Sequence, residues 1–133
     1  MGKLYAFFFA KAGFNLALSS FNKDQLMDVK KELNDKYPDV EVYPYVVDYS
    51  KTTDYSEQTE FKDLKQNLRV VINNVGVLKK IPYLEDTPSF IQTSIKVNLY
   101  PFFLYTKLAI NAFKKQAEDF DQDEGAKKRF GIL

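Results

Sequence analysis

The chain contains no cysteine and no histidine among its 133 residues. The first absence excludes disulfides, zinc–thiolate centres and thiol nucleophiles. The second excludes Ser–His–Asp catalysis and removes the commonest metal ligand. No single sign of charge prevails, since 19 basic side chains face 18 acidic ones. No strong field marks a nucleic-acid binder. Long apolar runs are missing as well. The longest, LYAFFFA at 4–10, ends at Lys11 and is far too short to span a bilayer. It also lacks the charged leader and small-residue cleavage site of a signal peptide.

What is present suffices for one core: 45% of the residues are apolar and 16% aromatic. Residues 3–12 are helix-compatible, and Gly13 is a natural terminator. FNLALSS at 14–20 suits a buried strand. Asn22 can cap a helix over 22–37, with Gln25 at the capping-box position. Leu26, Val29, Leu33 and Tyr37 make its apolar stripe, and Pro38 stops it. VEVYPYVVD at 40–48 reads as a strand, and Pro44 within it predicts a sheet edge.

Residues 53–67 read as a weaker helix carrying Phe61, Leu64 and Leu68 on one side. RVVINN at 69–74 reads as another short strand. Thr87 and Pro88 give a cap and first-turn signal for a helix reaching about Lys115, interrupted by Pro101. Residues 116–129 read as a charged loop, and FGIL at 130–133 as a strand stub. Helices and strands alternate, so the expected class is α/β: a doubly wound parallel sheet in one domain.

The asparagines of INNVG at 72–76 are unusual after an apolar run. In parallel α/β sheets, ligands lie beyond the carboxyl ends of strands. Asn73, Asn74 and Asp48 fall at such ends. Gly76 permits close backbone approach or a positive φ. One reading has these groups meet a flat polar ligand. The other has the two amides tie down the turn.

NNVG is similar to the NNAG-type motif of the classical short-chain dehydrogenases/reductases. Within that family the chain resembles the 17β-hydroxysteroid dehydrogenase and very-long-chain 3-oxoacyl-CoA reductase branch. GKLYAFFFAKAGFNLALSS, NKDQLMDVKKEL, VVDYS, VVINNVGV and IPYLEDTPSFIQTSIKVNLYPFFLYTKLAI carry the resemblance, in matching order over about 2–113. It implies an incomplete Rossmann fold and an NADP or NAD cofactor. By resemblance, Asn73, Asn74, Val75 and Gly76 line the adenine side and Asp48 reaches the adenine ring. Asn98 corresponds to the family's active-site asparagine at a helix kink. Pro101 supports that kink physically, because it cannot donate to the carbonyl of Val97; the other reading is a loop-to-helix boundary.

The departures are as informative. Only Gly2, followed by Lys3, matches the family's glycine-rich TGxxxGxG turn, and the strand preceding that turn is absent from these residues. A pyrophosphate needs that turn. No tyrosine is followed by lysine four positions on, so the Tyr-x-x-x-Lys pair is missing, and so is its serine partner. Hydride transfer then has no proton donor. Phe21 stands where relatives carry an arginine for the NADP 2′-phosphate, with Lys23 the nearest cation.

In a 3-2-1-4-5 sheet the missing strand is the centre. The expectation is therefore a fragment of a longer reductase, a strand donated by a partner, or a sheet closed over the gap. The implied substrate is a 3-oxoacyl thioester or a steroid or lipid ketone. The rival readings are a degenerate scaffold subunit and a dinucleotide-binding module without catalysis. The expected compartment is intracellular, cytoplasmic or associated with the endoplasmic reticulum. DFDQDEG at 119–125 misplaces the glycine and glutamate of a calcium loop and reads as solvated. KKR at 127–129 reads as a solvated turn. FFF at 7–9 reads as buried.

Overall fold

The computed structural model describes residues 1–51, 68–80 and 82–121. Helix α1 (Gly2–Lys11) leads into strand β1 (Leu16–Ser20), helix α2 (Lys23–Lys36) and strand β2 (Val42–Val46). A short 3-10 turn (Tyr83–Glu85) precedes helices α3 (Pro88–Asn98) and α4 (Tyr100–Asp121). The helix read over 53–67, the calcium-like loop beyond Asp121, KKR and the FGIL stub lie outside the described residues.

Local chemistry explains the boundaries. Gly13 adopts φ 81°, the left-handed conformation that ends α1 without steric cost. The Asn22 side chain accepts the Gln25 N–H (3.0 Å), and the Thr87 hydroxyl accepts that of Phe90 (3.3 Å). Pro88 occupies the first turn of α3. The stripe on α2 packs inward. Leu26 and Leu33 are buried, and Val29 and Tyr37 lie on a core of Ala6, Ala10, Leu16, Leu33, Val40 and Val42.

The two strands are parallel, with Leu16 opposite Val42 and Ser20 opposite Val46. The Leu16 N–H donates to the Glu41 carbonyl, and the Val47 N–H donates to that of Ser20. In a parallel ladder only alternate residues face the neighbour. Leu16, Leu18 and Ser20 therefore turn their backbone groups to β2, and those of Ala17 and Ser19 point the other way. On β2, Pro44 turns its missing N–H outward, as an edge strand allows.

Three expectations need correction. Residues 69–74 are not a strand: the whole of 68–80 is without regular structure. A strand exists only through its neighbours, and this segment lies along helices instead. The Gln116 side chain donates to the Leu68 carbonyl (2.9 Å), Asn73 Nδ2 to Thr106 Oγ1 (3.2 Å), and the Val77 N–H to Asn98 Oδ1 (2.7 Å). Nine extended residues span about 30 Å. The eighteen residue steps from Asn98, at the end of α3, to Gln116 on α4 span about 27 Å at the helical rise. The segment thus runs antiparallel to α3 and α4, with 68 beside 116, 73 beside 106 and 77 beside 98. Second, α4 continues to Asp121, so the first six residues of the supposed 116–129 loop are helical. Gln116 is held by Leu68, and Lys114 pairs with Glu118 at i,i+4 (3.8 Å). Third, FFF is not wholly buried. Phe7 and Phe9 pack on the core, whereas Phe8 is 66% exposed.

Candidate functional site

The loop 73–77 is the meeting point of three elements. Asn98 is its anchor. Its Oδ1 accepts the Val77 N–H at 2.7 Å, and its Nδ2 donates to the Val77 carbonyl at 3.0 Å. One side chain thus satisfies both polar groups of one residue, as a neighbouring strand would. A Cβ on Gly76 would come within 3.4 Å of Asn98 Oδ1. Gly76 therefore serves close approach. It does not serve a positive φ, which among the described residues is found at Gly13 alone.

The helix breaks just beyond Asn98. Leu99 ends α3 with its N–H on the Ile95 carbonyl (3.0 Å), and α4 begins at Tyr100. Pro101 is buried and has no N–H for the Val97 carbonyl. The two helices therefore meet at Leu99, next to Pro101. Lys79 braces the other side: its Nζ lies 3.8 Å from Asp86 Oδ1 and 5.3 Å from the centre of the Phe90 ring.

The two asparagines point to different elements. Asn73 reaches Thr106 on α4. A Cβ on Gly2 would meet Asn74 Nδ2 at 2.8 Å, so the Asn74 amide sits against the first turn of α1. The Asn74 N–H closes a three-residue turn onto the Ile72 carbonyl (3.0 Å). Val75 is exposed. Gly2, Asn74, Gly76 and Asn98 are brought together around this loop.

Asp48 lies beyond β2, next to a second cluster in which Val47, Tyr49 and Val97 are buried and Val77 packs against them. Its carboxylate is already engaged. Oδ1 accepts the N–H (3.0 Å) and hydroxyl (2.6 Å) of Ser50, and Oδ2 lies 3.3 Å from Lys51 Nζ. The Ser50 hydroxyl, chiefly, holds the Asp48 pKa below the ordinary carboxylate value. One network escapes sequence reading. The Tyr49 hydroxyl lies 2.7 Å from that of Tyr105 and 3.5 Å from Ser19 Oγ, joining β1, the end of β2 and α4. The first pair is 56 residues apart, and no local pattern announces it.

A nicotinamide dinucleotide needs a pyrophosphate cradle, and the described residues do not fit one. The space beside Gly2 is taken by the Asn74 amide, and α1 has Met1 at its N-cap with no capping side chain. Phe21 is 73% exposed and offers no charge to a 2′-phosphate. Among the described residues no cluster of metal-ligating side chains occurs, and no helix is long and apolar enough to cross a membrane.

Comparison with known proteins places this geometry. The short chain dehydrogenase family model matches residues 1–119. The very-long-chain 3-oxooacyl-coA reductase let-767 of Caenorhabditis briggsae is 34% identical over 83 residues, covering 62% of this chain and 26% of its own length. A Caenorhabditis elegans protein bearing the name steroid dehydrogenase 4 is 30% identical over 111 residues, covering 80% of this chain and 42% of its own. The chain thus spans less than half the length of these curated relatives. Among solved structures, the bulky-bulky ketone specific alcohol dehydrogenase from Comamonas testosteroni superposes with a TM-score of 0.69 at 20% identity. It covers 86% of this chain and 45% of its own, and at that identity it speaks for the chain path alone. The family model spans nearly the whole chain, and the two parallel strands joined by one helical crossover agree with it: the chain belongs to the short-chain dehydrogenase family.

Proposed function

We propose that residues 1–133 are the nucleotide-side portion of an NAD(P)H-dependent reductase acting on a 3-oxoacyl thioester or a steroid or lipid ketone, and that they transfer no hydride by themselves. One observation carries the family part of this reading: the double hydrogen bond from Asn98 to Val77, set between the NNVG loop and the Pro101 kink. The substrate class follows the names of the curated relatives. Inactivity follows from chemistry. Carbonyl reduction needs a proton donor beside the hydride acceptor, and no tyrosine here has the lysine partner that would activate it. The compartment that goes with the reading is intracellular, in the cytoplasm or at the endoplasmic reticulum.

The test is to incubate the purified chain with NADPH and a long-chain 3-oxoacyl-CoA and follow absorbance at 340 nm. No oxidation above the enzyme-free rate is expected. Substrate-dependent oxidation overturns the reading. Titration calorimetry with NAD and NADP at millimolar concentration is expected to give no binding heat, since the pyrophosphate cradle is incomplete.

A second reading, a scaffold subunit, is favoured by the outward-facing edge of β1. It requires a partner on that edge. A well-behaved monomer with a fully paired sheet counts against it.

A further inference from the structure

We infer that the Tyr49–Tyr105 hydroxyl pair couples the Asp48 turn, at the end of β2, to the Asn98 clamp on Val77, so that loosening either one loosens the other. The coupling belongs to the fold of this chain and needs no reductase activity.

Three observations converge. First, Tyr49 is the inward anchor of a tight turn. The Lys51 N–H donates to the Asp48 carbonyl (3.1 Å), which sets Tyr49 and Ser50 at the centre of a four-residue turn. Asp48 Oδ1 accepts both the N–H and the hydroxyl of Ser50. The turn is thus polar on its outer side, whereas Tyr49 is 4% exposed. Second, a buried hydroxyl needs a partner. Tyr105 supplies one at 2.7 Å, with the two rings edge to face and their centres 6.2 Å apart. Ser19 Oγ, at 3.5 Å, lies at the outer limit of a hydrogen bond. Third, the same cluster of side chains holds the clamp. Val77 and Tyr105 pack on Val47, Tyr49 and Val97, and Val97 precedes Asn98 at the end of α3. Among the helices and strands, α4 packs chiefly on α3. Tyr105 therefore ties to the end of the sheet a helix that otherwise leans on its neighbouring helix.

The path is continuous. The Asp48 turn holds Tyr49, Tyr49 meets Tyr105, and α4 carries Tyr105 about one and a half turns beyond its junction with α3. Asn98 stands at that junction and grips Val77, which packs back on the cluster around Tyr49. Residues in one such network respond non-additively to substitution, and their coupling is reciprocal.

The test is heteronuclear NMR of the purified chain, read at the Lys51 amide, the Val77 amide and the Asp48 carboxyl carbon. Tyr105→Phe keeps the ring and removes the hydroxyl. Hydrogen exchange at the Lys51 amide is expected to quicken about two- to tenfold, the worth of one net hydrogen bond. The Asp48 titration midpoint should rise, because the Ser50 hydroxyl is held less firmly, while Lys51, the charge beside Asp48, is unchanged. Val29→Ala weakens the core around Leu33 instead, and should move neither reading. Ser50→Ala disturbs the turn directly. It is expected to shift the Val77 amide when Tyr105 is present and to leave it in place in Tyr105→Phe. Asn98→Ala should shift the Lys51 amide under the same condition. Three results overturn the coupling: a Val77 amide that answers Ser50→Ala equally with and without the Tyr105 hydroxyl, one that does not answer at all, or a Tyr105→Phe variant that behaves as Val29→Ala does.

Discussion

At the scale of single residues, the site depends on one bidentate amide. Asn98→Ala leaves both polar groups of Val77 without their partner in a half-buried setting. Losing such partners costs about 1–3 kcal/mol. The unfolding free energy from urea titration should fall by that amount, seen as a lower midpoint with an unchanged slope. Asn98→Asp should be as harmful near neutral pH, because it retains the acceptor for the Val77 N–H but sets a carboxylate oxygen against the Val77 carbonyl. Asp48 gives the pH dependence. Its folded pKa lies below the ordinary 3.8. The stability it lends is complete above that ordinary value and is lost as pH falls through the folded one. Acid titration of thermal melts should show this loss below about pH 4 and its weakening in Asp48→Asn. Exposure and solvent screening keep the effect small. These two residues were legible in the sequence as polar groups at the ends of apolar runs. Their partners were not. Nothing local shows that Asn98 would grip Val77, or that Asp48 would turn back onto Ser50.

At the scale of elements, what was legible is what is local. Asn22 with Gln25, Thr87 with Phe90 and Gly13 after α1 each act within four residues, and each forms as its spacing foretells. Pro44 announced its edge because the constraint lies in its own ring. Residues 69–74 misled for the opposite reason. Val70, Val71 and Ile72 have strand propensity, but a ladder requires a neighbour, and Gln116, Thr106 and Asn98 claim the segment instead. The same long-range hold extends α4 into a stretch whose charges resemble those of a loop. Pro101 separates α3 from α4, and its removal tests that account. Pro101→Ala restores an N–H facing Val97. It should fuse the helices, raising ellipticity at 222 nm, and should shift the Val77 amide resonance as Asn98 swings with the straightened axis.

At the scale of the whole molecule, burial is divided between two clusters. One joins α1, β1, α2 and β2 around Leu33. The other joins Val47, Tyr49 and Val97. Leu33 is the one large side chain fully buried among the described residues, so Leu33→Ala opens a cavity worth about 2–5 kcal/mol. Hydrogen exchange should show amides of β1 and β2 losing protection in that variant. Val97→Ala should instead deprotect residues 77 and 98–105 first. The first cluster is drawn entirely from residues 6–42. The 79 residues from 43 to the end of α4 at Asp121 are synthesised after it is complete, which takes roughly 4–16 s on a ribosome. Helix and loop closure need microseconds. Synthesis itself thus sets the order of assembly: the first layer closes around Leu33, and α4 docks later with residues 68–77 along its length.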